Sequence, residues 1–271
     1  MGGRAEFAGI EKMTNQIGDI HILRDGYVAN VTIRKPPHNS VSVELMRDLA
    51  DTLEMLDGEP EMRAIVLATE GSSFCAGADL TRRAEEVGLD APKSNPLYAQ
   101  AVRLYSNHLP IVAAIQGPAV GAGLGLALIA DIRIAAPDAR FAANFVKLGF
   151  HPGFGLTYTL PRLIGRQRAG DMFVTGRRVK AEEALAWGLV DQLVYADRVT
   201  PTAVALAAEI ASNAPLAVRS TRATLREGLA EGVKAATDHE FSEQQWLMKT
   251  DDFKEGVKSV TERRPGNFKG R

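Results

Sequence analysis

One cysteine, Cys75, occurs in 271 residues, so an internal disulfide is excluded and a reducing compartment suits the chain. No uninterrupted apolar run approaches the roughly 18 residues that a membrane-spanning helix requires. Met1 to Gln16 holds no apolar segment followed by a cleavage site. These absences predict a cytoplasmic protein with no membrane partner. Nor is either charge in excess, since 32 basic and 33 acidic side chains leave a formal charge of -1. So even a balance creates no whole-molecule field for nucleic acid, and an anionic ligand has to be met by local positive groups. Neither H-E-x-x-H nor C-x-x-C spacing is present. His38 and His108 stand in turn or helix-end contexts, so no metal site is expected. The chain shows no internal repeat and no low-complexity stretch.

What is present is an ordinary globular composition, 45% hydrophobic and 24% charged, sized for one or two domains. Short β-type runs alternate with helical patterns over Gly26 to Ile33, Val43 to Asp57, Ala64 to Ala68 and Ala78 to Glu86. That order predicts an α/β fold. Ile111 to Ile115 reads as a buried strand and Asp131 to Ala135 as another. Between them, Gly121 to Ala130 has the pattern of a helix with almost no polar face, which places it inside the molecule. Ser94 to Leu104 reads as a helix, and Leu80 to Pro96 as a mobile segment near a ligand. Beyond Asp197 the β signals stop, and Ala203 to Ser212, Pro215 to Glu227, Lys234 to Met248 and Asp252 to Arg264 follow as helices. The expected division is a core over 1–199 and a helical module over 200–271.

Two loops carry candidate chemistry. In Phe74-Cys75-Ala76-Gly77-Ala78-Asp79-Leu80, small residues crowd a strand-to-helix junction. A ligand can approach the main chain there, and unpaired amides at the helix start can face an oxygen that becomes negative. A tight structural turn would use the same small residues. The loop Gln116-Gly117-Pro118-Ala119-Val120-Gly121-Ala122-Gly123-Leu124-Gly125 repeats the device. Its glycines are spaced G-x-G-x-G rather than G-x-G-x-x-G, and Asp131 arrives well before the acidic residue that a dinucleotide site places about twenty positions on. A nicotinamide site is therefore disfavoured.

Further landmarks follow in order: Ala139-Arg140-Phe141, Pro152-Gly153, Leu160-Pro161-Arg162, Ile164-Gly165, Thr175-Gly176, Ala181 to Val190, and Asp251-Asp252-Phe253-Lys254-Glu255-Gly256 through Arg263-Arg264-Pro265 to Gly270-Arg271. With the two loops, they resemble the crotonase (enoyl-CoA hydratase/isomerase) superfamily over nearly the whole chain. The resemblance implies a spiral core of ββα turns with a C-terminal helical oligomerisation module, assembling as a trimer or a dimer of trimers. It implies an acyl-CoA thioester as substrate, with coenzyme A arriving as part of that substrate and no permanently bound cofactor. It also implies an oxyanion hole made by the backbone amides of Ala78 and Ala122. Ala76, Asp79 and Leu80 of the first loop, with Arg34 and Arg263 as phosphate partners, are the residues expected to meet the coenzyme A portion, a solvated basic tail being the other reading of Arg263.

The chain departs from that family at two positions. Hydratases of the family use two glutamates, and the matching positions here are Gly125 and Phe145. Neither transfers a proton, so ordinary hydration lacks its acid-base pair and the simple isomerase reading weakens with it. His151, directly before Pro152-Gly153, is the expected substitute because histidine titrates near neutrality, although a loop-capping histidine fits the same place. Asp79 is more simply a helix-start residue, Cys75 a small buried thiol, and Tyr98 and Tyr105 either close over an acyl chain or are core or surface residues. The expected activity is that of an acyl-CoA enzyme, with decarboxylation or thioester hydrolysis better suited than hydration. The alternative is a non-catalytic acyl-CoA binding or carrier protein.

Overall fold

Strands β1 (Met13–Ile17), β2 (Ile20–Asp25) and β3 (Val28–Ile33) form an antiparallel meander in the computed structural model, which describes residues 12–78 and 95–271. Strands β4 (Ala64–Thr69), β5 (Ile111–Ile115), β7 (Ile132–Ala135) and β10 (Gln192–Leu193) then add in parallel. The sheet order is β1-β2-β3-β4-β5-β7-β10. A second sheet joins β6 (Ala119–Val120) in parallel to β8 (Arg140–Ala142), which pairs antiparallel with β9 (Arg178–Lys180).

The parallel strands read as near-continuous apolar runs because both faces are covered. Ile65 and Leu67 of β4 and Ile111, Ala113 and Ile115 of β5 point into the main core. There they meet α1 (Val43–Asp57), α2 (Pro96–Tyr105) and α3 (Ala122–Ala127). The alternate residues Ala64, Val66, Val112 and Ala114 face Val199, Ala203, Ala207 and Ala211 of α7 (Val199–Ser212). Alanine at every fourth position lets that helix lie close on the sheet. Helix α1 starts where the Ser42 hydroxyl accepts from the Leu45 amide at 3.1 Å, a cap contributing roughly 1 kcal/mol.

Helices α4 (Leu156–Ile164), α5 (Arg166–Thr175) and α6 (Ala181–Trp187) follow a 3-10 helix over Asn144–Leu148. After α7 come α8 (Pro215–Leu225), α9 (Leu229–Leu247) and α10 (Asp251–Thr261). Helix α9 packs on α2 and α4, and α10 on the 3-10 helix. The α/β order and the helical C-terminal stretch agree with expectation, and the differences are local. The hairpin of β1 and β2 carries no strong alternation and was not foreseen. The apolar helix is shorter than Gly121 to Ala130, because Leu128 to Ala130 turn into β7. The expected helix from Ala78 to Glu86 and the segment Leu80 to Pro96, with Asp79 and Leu80, lie almost wholly outside the described residues.

Candidate active site

The two glycine-containing loops are laced together by their main chains. The Cys75 amide donates to the Pro118 carbonyl at 3.0 Å, and the Val120 amide donates to the Cys75 carbonyl at 3.0 Å. Behind them Asn39, itself buried, donates to the carbonyls of Glu70 and Ser73 at 2.8 Å each. Gln116 donates to Gly71 and Ser73 carbonyls at 3.0 and 3.1 Å. These amide side chains hold the turn that delivers the first loop.

Within each loop, one glycine in the left-handed region precedes an alanine: Gly77 at φ 96° before Ala78, and Gly121 at φ 56° before Ala122. An L side chain adopts that region at a cost of about 1–3 kcal/mol, and the reversal turns the following N–H out of the local ladder. Both alanines line one cavity. Neither amide has a hydrogen-bond acceptor among the described residues. Ala122 is buried and Ala78 half-buried, and an N–H left without a partner at such a place is rare enough to ask what fills it.

The cavity measures about 130 Å³ and is walled by Phe145, Leu148, Phe150, Phe154, Leu97 and Tyr98. The Phe145 and Phe150 rings meet edge-on at 5.5 Å, and Phe150 meets Phe253 of α10 likewise at 5.5 Å. Tyr98 and Asn144 are the only polar side chains in the described lining. The Tyr98 hydroxyl donates to Gln244 Oε1 at 2.8 Å, and Gln244 Nε2 donates to the His151 carbonyl at 2.8 Å. No carboxylate, histidine, lysine or arginine lines it among the described residues.

Gly125 lies one turn beyond Ala122, with the Phe154 ring against it. A Cβ there would stand 2.5 Å from Phe154 Cδ1 and 3.0 Å from Phe154 Cβ. Phe154 is fully buried and has φ 66°, a strained conformation for a non-glycine residue. Glu240 of α9 holds the chain just beyond it. Its carboxylate accepts from the Gly155 amide at 2.8 Å, the Thr157 amide at 2.9 Å and the Thr157 hydroxyl at 2.7 Å. Burial pushes the Glu240 carboxyl up to about 7 while those three donors pull it down. The Tyr105 hydroxyl donates to the Gly125 carbonyl at 3.1 Å, and burial raises its pKa well above the ordinary phenol value.

Of the residues singled out by sequence, Ala76, Ala78, Ala122, Phe145 and Tyr98 meet at the cavity, whereas Tyr105 lies behind it. His151 does not: its ring packs edge-on against His239 at 5.8 Å, and Nδ1 donates to the Pro152 carbonyl at 2.9 Å. The loop turns its backbone carbonyls toward Gln244. Arg34 pairs with Glu70 at 3.3 Å, and the Arg263 side chain is exposed with no partner among the described residues. Burial pushes the Cys75 thiol up to about 12, which makes it an inert thiol. Sequence reasoning missed Asn144, Phe154 and Glu240. The Gly153-Phe154-Gly155 spacing marks a turn, but nothing in α9 distinguishes Glu240 from a solvated helix residue. Among the described residues no cluster of three or more His, Cys, Asp or Glu could hold a metal, and no helix is long and apolar enough to cross a membrane.

A family model for enoyl-CoA hydratase/isomerase matches residues 24–271. The chain belongs to the enoyl-CoA hydratase/isomerase family. It is 36% identical over 252 residues to a putative enoyl-CoA hydratase of Thermus thermophilus, covering 90% of this chain and 98% of that relative. It is 31% identical over 257 residues to a carnitinyl-CoA dehydratase of Proteus mirabilis, covering 93% and 98%. The crystal structure of a carnitinyl-CoA hydratase from Mycobacterium avium superposes with a TM-score of 0.84 at 32% identity, over 94% of this chain and all (100%) of that one. Membership makes this chain an acyl-CoA-processing enzyme with the crotonase fold.

Proposed function

We propose that this enzyme stabilises the enolate of an acyl-CoA thioester through the Ala78 and Ala122 amides and catalyses a reaction that needs no protein carboxylate at the two hydratase positions. The observation that carries this reading is the pair of unpaired N–H groups, each behind a left-handed glycine, on one apolar cavity. Donors fixed before the reaction need no reorganisation when charge develops, and one such donor is typically worth about 3–4 kcal/mol. With Gly125 beneath a phenyl ring and Phe145 in the wall, a water molecule has no carboxylate among the described residues to take its proton.

Decarboxylation of a malonyl-type thioester fits this site better than hydrolysis. It needs an electron sink and no base, whereas attack by water needs a proton acceptor. The bond from the α-carbon to the carboxylate carbon breaks, its electron pair enters the thioester as an enolate held by the two amides, carbon dioxide departs, and the α-carbon takes a proton from water. His151 has no part in this scheme. Self-association belongs to the same reading, supported by exposed Leu216 and Leu225 on α8 and Trp246 on α9.

Incubating the full chain with enoyl-CoA, malonyl-type and saturated acyl-CoA thioesters, with mass spectrometry for products and calorimetry for binding, tests it. Loss of carbon dioxide from a malonyl-type thioester is the expected result. Hydration of an enoyl-CoA at an enzymatic rate would contradict it. Binding of every thioester without turnover would instead make the chain a carrier.

A further inference from the structure

Asn144 opens the 3-10 helix that follows β8, and its side chain lines the cavity. Its Oδ1 stands 3.8 Å from the point that a Cβ on Gly121 would occupy, and Gly121 is the residue before the Ala122 amide. The neighbouring Phe145 ring reaches 3.7 Å from the same point. Among the described residues the Asn144 carboxamide has no hydrogen-bond partner, and it neither caps a helix nor closes a turn. The amide is half-buried and free to present either end to the cavity, since no partner fixes the orientation. Its polar atoms are open to the cavity rather than sealed in the core, so a ligand bound there can bond to them in place of water.

We propose that the Asn144 Nδ2 donates to the α-carboxylate of a malonyl-type thioester and sets the angle at which that group leaves. The inference rests on the decarboxylase reading above and adds the residue that recognises its substrate. The thioester oxygen and the carboxylate have to be held at the same time, with the breaking bond roughly perpendicular to the thioester plane so that its electrons enter the carbonyl. An amide beside the Ala122 loop serves the second requirement while the Ala78 and Ala122 amides serve the first. The absence of a lysine or arginine in the described lining suits the step. A full ion pair would hold the carboxylate more tightly before the bond breaks than after, when neutral carbon dioxide has formed, and would raise the barrier. A single neutral donor orients the group and gives up little as it leaves. The apolar rings around it favour the same change, from a localised carboxylate charge to a neutral gas and an enolate already paired with two N–H groups.

The test compares the full chain with Asn144→Ala and Asn144→Asp, using methylmalonyl-CoA as substrate and propionyl-CoA as a binding probe without the carboxylate. Release of carbon dioxide should fall by about tenfold or more in kcat/KM for Asn144→Ala, the loss of one oriented hydrogen bond to a charged group. It should fall further for Asn144→Asp, which places two carboxylates face to face. Propionyl-CoA affinity should change less than about threefold in both. Unchanged decarboxylation by the variants would overturn the role of Asn144 while leaving the decarboxylase reading intact. Equal losses of propionyl-CoA affinity and of turnover would also overturn it, marking the residue as part of the cavity wall. Thioester binding with no carbon dioxide released by the unaltered chain would overturn the decarboxylase reading and this inference together.

Discussion

The Phe154 ring fills the space into which a side chain on Gly125 would project, with Cδ1 only 2.5 Å from the position of its Cβ. In this family that position carries a glutamate in hydratases, as the sequence resemblance implies, and here its volume belongs to a buried ring. Gly125→Glu therefore has to displace Phe154 and bury a carboxylate. The expected cost is at least about 3 kcal/mol, from overpacking together with an unpaired charge. Thermal unfolding should show a clear fall in Tm without any gain of hydratase activity. A variant as stable as the parent that hydrates crotonyl-CoA would show that Phe154 moves aside freely.

Gly121→Ala separates backbone conformation from space. The nearest atom to a Cβ at this position is Phe145 Cζ at 3.7 Å, an ordinary contact, so the cost is the left-handed φ of 56°. We expect about 1–3 kcal/mol of lost stability if the conformation is kept. If the backbone relaxes instead, the Ala122 amide turns away and turnover falls by about 10² to 10³ with little change in thioester affinity. Steady-state kinetics beside denaturant unfolding measures both.

Glu240 makes stability pH-dependent in an unusual direction. Its carboxyl is pushed by burial from 4.5 up to about 7 in the folded chain, so the unfolded chain releases that proton first. Folding is then favoured fully below about pH 4.5 by this group, and the contribution is lost as the pH rises through about 7, on the order of 3 kcal/mol in all. Urea unfolding at pH 5 and pH 8 should show the fall in the parent. Glu240→Gln, which has no proton to lose, should flatten that part of the profile. An identical profile in both would contradict the assignment.

His151→Ala should change turnover less than about twofold, because the ring lies against His239 and outside the cavity lining. A loss of a hundredfold, with the fold intact by circular dichroism, would return a catalytic role to it.

Cys75 should react with an aromatic disulfide reagent only at the rate of unfolding, since its side chain is buried and its thiol lies at about 12. Rapid labelling at pH 8 of the folded chain would mean that the first loop opens.

The apolar runs at Ala64 to Ala68 and Ile111 to Ile115 were legible as buried strands because both faces of a parallel strand are covered. Helix α1 was legible from the helical pattern over Val43 to Asp57, whereas the Ser42 cap came only with the structure. The small residues around Ala78 and Ala122 pointed to the cavity, since a close main-chain approach leaves its imprint in residue size. The resemblance marked Gly125 as standing where a glutamate was expected, but not what fills the space. Phe154 reaches that space only because residues 153–155 turn back, and the turn is held by Glu240 from a helix more than eighty positions away. The direction of the His151 ring was not legible for the same reason: a residue's number in a loop does not say which way its side chain points. Asn144 carried no signal apart from standing beside Phe145.

The most direct measurement is a crystal structure of the full chain with butyryl-CoA, a thioester that lacks the reactive group. The account predicts the thioester oxygen within about 2.7–3.1 Å of both the Ala78 and Ala122 nitrogens, with the acyl chain against Phe145 and Phe154. A thioester oxygen beyond hydrogen-bond reach of either amide, or an acyl chain lying outside this cavity, would contradict it.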